Sequence, residues 1–211
     1  MSRVYRDRTE AGEVLAGRLT SLAGQPDVIV LALVRGGVPI GEAIARRLGV
    51  PLDVLVVRKL GVPFAPELAF GAMGPNGVKV LNERVADRLD PEDVDRVVQQ
   101  ESVELERRER RYRGGRPPLD LTGRTAVIVD DGLATGATAR AAVAVAKRMG
   151  ARRVVVAAPV CSPDAYEALA QEADEVICPD RPADFAAVGQ YYEDFHEVSD
   201  DEVAAALAAT S

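Results

Sequence analysis

Two cysteines, Cys161 and Cys178, and a single histidine, His196, occur in 211 residues. So small a set, so widely spaced, supports neither a disulfide framework nor a metal-ligand pattern, and both thiols read as buried structural groups. Long hydrophobic runs are missing as well, and nothing approaches the length of a membrane span. Met1 to Glu10 is polar and charged, so no secretory leader is expected and the chain reads as cytoplasmic, without a membrane partner. Basic residues are in deficit, 26 against 33 acids for a net charge of −7. That balance argues against a general nucleic-acid surface, while leaving room for a local basic pocket. Repeats, low-complexity tracts and a linker are also absent. The remainder, 47% apolar and 28% charged, is ordinary for a globular chain, and its length suits one domain over residues 1–211.

The informative stretch runs from Ala126 to Gly150. Ala126 to Val129 is an apolar, β-branched run suited to a strand buried on both faces of a parallel sheet, and it switches abruptly to Asp130 and Asp131. Gly132 and a small-residue loop, Ala134 to Thr138, follow, then an alanine-rich helix to Met149 with Gly150 as its C-cap. The unpaired N–H groups of a helix start converge where the helix dipole is positive, so this loop is an anion seat. Gly136 allows close approach of a phosphate, and Thr135 and Thr138 supply hydroxyl donors. Ala137 stands where a P-loop needs lysine, which disfavours ATP. Carboxylates beside such a seat suit a sugar diol or a bridging Mg²⁺ rather than the phosphate itself. Together the residues describe a 5-phosphoribosyl group.

An apolar strand, two acids and Thr-Gly-x-Thr resemble the phosphoribosyl-pyrophosphate (PRPP) signature of the type I phosphoribosyltransferase family. The resemblance implies an α/β fold with a doubly wound, mainly parallel sheet, a flexible lid loop and a small C-terminal hood. It assigns Asp130 and Asp131 to the ribose, with indirect contact to Mg²⁺ through ribose or water, and Gly132 and Ala134–Thr138 to the ribose and 5′-phosphate. The core would span about residues 28–160 and the hood about 161–198, with help from the N-terminal segment.

Upstream, apolar residues at Ala11, Val14, Leu15, Leu19 and Leu22 mark a helix within 7–22, and Val28 to Val34 reads as the first core strand. Arg35-Gly36-Gly37 follows it and leads into a helix ending at Gly49. By itself this is a tight turn with a solvated arginine; beside the signature it resembles the family's pyrophosphate loop, which implies a non-proline cis peptide, placed here between Arg35 and Gly36. Leu52 to Val57 is the next strand and delivers Arg58-Lys59, either solvated or neutralising a departing diphosphate. That pair also looks like family members acting on adenine or orotate.

Leu60 to Gly77 is rich in Gly and Pro and reads as a mobile hairpin or lid, with edge strands at Leu68–Met73 and Val78–Leu81. Glu67 on this lid could protonate or orient a base, or be a solvated loop carboxylate. Asp90-Pro91 starts a helix to about Tyr112. The basic cluster Arg107 to Arg116 reads as a solvated face, with contact to RNA or a neighbouring subunit as the alternative. Arg153 to Val160 and Glu175 to Cys178 are strands, with a helix over Asp164 to Ala173 between them, capped by Ser162 or Asp164. Ser199 caps a closing helix, Asp200 to Ala209. Phe185, Tyr191, Tyr192 and Phe195 are a satellite core or, by resemblance, part of a hood over a nucleobase.

The implied chemistry is transfer of phosphoribosyl from PRPP to an N-nucleophile with Mg²⁺ as cofactor. Arg35, Arg58, Lys59 and Glu67 are the catalytic candidates, and Arg35, Gly36 and Gly37 hold the pyrophosphate. Partners are PRPP and a small-molecule acceptor, with a homodimer left open. Ala134 replaces the acid that hypoxanthine-guanine-type members carry and resembles adenine-type members, so the acceptor stays unassigned. Two alternatives stand beside the transferase: a non-catalytic PRPP or nucleotide sensor, and a phosphohydrolase or phosphorylase.

Overall fold

Alternate residues of the central strands enter two different cores. Val28, Val30, Ala32, Val54, Val127, Val129 and Val155 pack to one side, and Ile29, Leu31, Leu33, Leu55, Ala126, Ile128, Val154 and Val156 to the other. A strand buried on both faces reads as one continuous apolar run, which is why these segments show no period-2 alternation. The computed structural model describes residues 3–210, with the side chains of Pro66 and Glu67 outside the described set.

The strands of this sheet are β1 (Val28–Leu33) and β2 (Leu52–Leu55), and a second, antiparallel group is β3 (Arg58–Val62), β4 (Ala65–Met73) and β5 (Lys79–Leu81). The main sheet resumes with β6 (Thr125–Val129), β7 (Arg153–Ala157) and β8 (Glu175–Ile177). Its order is β2-β1-β6-β7-β8, all neighbours parallel. The helices are α1 (Arg8–Arg18), α2 (Gly37–Leu48), α3 (Glu83–Ala86), α4 (Pro91–Arg113), α5 (Ala137–Arg148), α6 (Pro163–Glu172) and α7 (Asp200–Ala209). Helices α1, α2 and α7 contribute to the first core and α5 and α6 to the second. The chain leaves β1 for β2 on one side and later lays β6 on the other. That reversal opens a crevice at the carboxyl ends of β1 and β6, where open α/β sheets bind ligands.

Helix ends follow the local sequence. The Asp90 side chain accepts from the Glu92 N–H ahead of Pro91, and Ser162 accepts from the Ala165 N–H. Ser199 and Glu202 form a reciprocal capping box. Ser199→Ala is expected to lower stability by about 1 kcal/mol, read as a shift of the urea midpoint at unchanged slope.

Two expectations are corrected. The Leu60–Gly77 region is not a loose lid from its base: Arg58 pairs with Met73, Lys59 with Ala72 and Leu60 with Gly71, and Leu60, Phe70 and Met73 are buried. Arg58 and Lys59 therefore begin an antiparallel strand rather than cap a parallel one. The exposed part is the tip, with Phe64 79% and Leu68 58% accessible. Second, the 107–116 cluster is not a solvated face throughout. Arg113 donates from Nε and Nη2 to the two oxygens of Asp53 at 3.0 Å each, both side chains being 9% exposed. Asp53 is buried within β2 and needs such a partner. Cys161 and Cys178 are buried free thiols as expected, and although 17 residues apart they lie side by side with Sγ atoms 2.6 Å apart. Among the described residues, no helix is long and apolar enough to cross a membrane.

Candidate functional site

The β6–α5 loop is built as its sequence implies. Polar residues begin where β6 ends, and Gly136, at φ 70°, takes the left-handed conformation as α5 begins. Gly136, at the N-cap, has no side chain to cap this helix; the Thr135 hydroxyl accepts from the N–H of Ala137, the first residue of α5, at 3.3 Å. The loop is fixed from outside. Leu133 and Cys161 form a parallel bridge, and the Ser162 hydroxyl donates to the Ala134 carbonyl at 2.6 Å while capping α6. An anchored loop with uncapped helix N–H groups is pre-organised for an oxyanion.

Glycines 36 and 37 are required by closeness. A methyl group on Gly37 would stand 2.4 Å from the Val129 carbonyl oxygen, and one on Gly36 would stand 2.1 Å from Oδ2 of Asp131. The β1–α2 loop thus lies directly on the end of β6. The cis peptide in this loop joins Val34 to Arg35, one residue earlier than expected. Gly132 faces the C-terminal segment, where a methyl group would come within 2.5 Å of Val188.

The two acids differ. Asp130 Oδ1 accepts from the Asp131 N–H at 2.9 Å; burial pushes its carboxyl well above the usual range, the Asp131 charge adds to this, and Arg8 opposes it. Burial also raises Asp131, against the lowering effect of Arg8. Arg8, at the start of α1, donates from Nε at 3.0 Å and approaches with Nη2 at 2.9 Å, both to Oδ2 of Asp131. Its remaining contacts belong to the C-terminal segment. Nη1 donates to the His196 carbonyl at 2.7 Å, and Cζ sits 4.1 Å from the Phe195 ring centroid. Tyr192 stacks on Phe195 and donates its hydroxyl to the Asp131 carbonyl at 2.6 Å. The Tyr5 and Tyr192 backbones form a bridge. One arginine therefore joins the signature acid, the N-terminal helix and the aromatic segment.

The cations divide between two adjoining cavities. One of about 180 Å³ brings together Arg58, Lys59 and Thr138 with Val34 and Arg108. The other, about 330 Å³, is lined by Arg35, Arg107, Arg108, Arg111, Tyr112 and Asp200. Arg35 is thus turned away from Arg58 and Lys59: it pairs with Glu197 and lies 3.9 Å from Asp200. Arg58 donates from Nε to Glu101 at 2.6 Å. The side chain of Glu67 lies outside the described residues. A larger groove, about 720 Å³, runs between the β3–β5 sheet and α5 and shares Lys59 and Ala137 with this region.

No group of three or more His, Cys, Asp or Glu that could hold a metal occurs among the described residues. With Oδ2 of Asp131 taken by Arg8, the two acids do not build a metal site of their own. A divalent cation at this crevice would have to arrive with a ligand that supplies most of its oxygens.

Arg8, and the site roles of Tyr192 and Arg108, were not foreseen from the sequence. Arg8 left no local signal, its partner being 123 residues away. Arg108 could have been found: it follows Glu101 and Leu105 at helical spacing, on the face where Leu105 is buried.

A model of the phosphoribosyl transferase domain matches residues 8–196. Two Mycobacterium tuberculosis proteins, from strains H37Rv and CDC 1551, are each 54% identical over 207 residues and each provisionally named a phosphoribosyl transferase. The match covers 97% of this chain but 46% of theirs, so the chain spans about half the length of these relatives. The crystal structure of TT1426 from Thermus thermophilus is 46% identical, covers 99% of both chains and superposes with a TM-score of 0.91. On the strength of its β6–α5 signature and these matches, the chain belongs to the phosphoribosyl transferase family.

Proposed function

We propose that this chain transfers the 5-phosphoribosyl group of PRPP to an N-nucleophile, a nucleobase, with release of pyrophosphate. The observation that carries the reading is the convergence at one crevice of three parts. These are an uncapped helix start behind Gly136, two carboxylates one step before it, and a cavity holding Arg58, Lys59 and Thr138.

The 5′-phosphate sits on the N–H groups and hydroxyls of Ala134–Thr138. Asp130 and the Oδ1 oxygen of Asp131 accept from the ribose hydroxyls, while Oδ2 stays with Arg8. The diphosphate lies over the Gly36-Gly37 loop toward Arg58 and Lys59. Mg²⁺ bound with the donor would supply charge neutralisation at the diphosphate, beside Arg58 and Lys59. As the C1′–O bond to diphosphate breaks, its electron pair leaves with the diphosphate, and the acceptor nitrogen forms the C1′–N bond and loses its proton. Charge builds on the leaving oxygens and on an oxocarbenium-like ribose, so positioned cations and exclusion of water supply most of the rate. The aromatic segment around Tyr192 and Phe195 forms the acceptor wall, and catalysis takes place in the cytoplasm.

The test is pyrophosphate release from Mg²⁺-PRPP with a panel of nucleobases and small amines. Release that depends on one acceptor, with formation of its ribonucleotide, supports the transferase and names the substrate. PRPP binding with no release under any acceptor would replace it with a PRPP-binding regulator, and release to water alone with a hydrolase.

A further inference from the structure

Helix α4 reaches the crevice from a direction the signature residues do not. Glu101, Leu105 and Arg108 occupy successive turns of one face. Glu101 accepts from Arg58 Nε at 2.6 Å and Leu105 is 3% exposed, which points the next turn over the carboxyl ends of β1 and β2. There Arg108 lines the small cavity with Arg58, Lys59, Val34 and Thr138.

The neighbouring cations are already partly committed. Arg58 is held through Nε by Glu101, and Arg35 is turned toward Glu197 and Asp200. Arg108 is held more lightly. Its Nε donates to Oε1 of Glu104 at 2.6 Å, but the same carboxylate receives both Nε and Nη2 of Arg107, at 2.8 and 2.9 Å. Arg108 can therefore turn toward an anion in the cavity without leaving Glu104 unpaired. A guanidinium with free Nη donors, facing a cavity that already holds Arg58 and Lys59, suits an oxyanion with several acceptor oxygens.

We propose that Arg108 binds the diphosphate of the phosphoribosyl donor and holds the released pyrophosphate, making α4 a third wall of the leaving-group site. This rests on the reading of the crevice as a PRPP site. It adds a residue from outside the signature and the Gly-Gly loop, and it makes a distinction: of the groups lining this cavity, Thr138 belongs to the 5′-phosphate loop, whereas Arg108, Arg58 and Lys59 serve the diphosphate. A ligand without the diphosphate should not feel Arg108.

The experiment is calorimetric titration of the whole chain, in Mg²⁺, with PRPP, pyrophosphate and ribose 5-phosphate, for wild type, Arg108→Ala, Arg108→Lys and Arg107→Ala. Arg108→Ala is expected to weaken PRPP and pyrophosphate tenfold or more and to leave ribose 5-phosphate within twofold. Arg108→Lys should recover part of the loss, and Arg107→Ala, which leaves Glu104 to Arg108 alone, should weaken PRPP and pyrophosphate by less than Arg108→Ala does and leave ribose 5-phosphate within twofold. Unchanged pyrophosphate and PRPP affinity in Arg108→Ala would overturn the proposal while leaving the PRPP reading intact. So would equal weakening of all three ligands with a lowered unfolding midpoint, which would make Arg108 a structural residue. Wild-type protein that binds neither PRPP nor pyrophosphate would overturn both.

Discussion

Arg8→Met is expected to destabilise the fold by about 3–5 kcal/mol, because it leaves the Asp131 carboxylate buried without its ion-pair partner. The side chains are 8% and 14% exposed, so water cannot take over the role of the guanidinium. The loss has a pH signature. Without Arg8 the folded-state pKa of Asp131 rises further above its unfolded value, since burial already pushes it up and Arg8 is what holds it down. A raised folded pKa makes stability fall as pH rises above the ordinary carboxylate range of about 4. The deficit against wild type should therefore be smallest in acid and grow toward neutrality. Arg8→Met/Asp131→Asn should recover much of it, because the amide carries no charge to strand. Urea unfolding at three pH values decides the matter, and a loss under about 1 kcal/mol at neutral pH would mean that the pair is not the clamp its geometry describes.

Asp130→Asn is expected to lower PRPP turnover by about 10²–10³-fold, equivalent to about 3–4 kcal/mol in the transition state. The amide keeps the size of the carboxyl but removes the charge that strengthens hydrogen bonds from the ribose hydroxyls. Its pH behaviour separates this from a packing defect. Burial and the Asp131 charge raise the Asp130 pKa in the free protein, and donors from the ribose favour the ionised form. PRPP affinity should then improve as pH rises from the carboxylate range toward the raised pKa and level off above it, with a proton released on binding. In Asp130→Asn this dependence should shrink, leaving only the contribution of Asp131. Wild-type activity in the variant would remove Asp130 from the ribose site.

Local chemistry explains what could be read in the sequence. The strand-to-loop switch at Asp130, the glycine at position 136 that opens the loop to close approach and the Ser199 cap each depend on residues within one or two turns of one another. The paired glycines could be recognised as a tight turn, although their close approach to Val129 and Asp131 is specified only by the sheet. Arg8, Arg108 and Arg113 escaped for one reason. Their roles are defined by partners brought together by topology, and an arginine on an amphipathic helix looks alike whether it meets solvent or a buried aspartate. The start of the hairpin at Arg58 was hidden similarly, because Val56-Val57-Arg58 carries no turn residue to separate β2 from β3.

Helix α4 has 23 residues, a rod of about 34 Å. It is fastened near its middle to the base of the hairpin, through Glu101 to Arg58 and Ser102 to Met73, and at its end to the sheet, through Arg113 to Asp53. The hairpin is therefore braced at its base like a wall, and the part that α4 does not hold is the exposed tip at Phe64; loops of that size move in nanoseconds to microseconds.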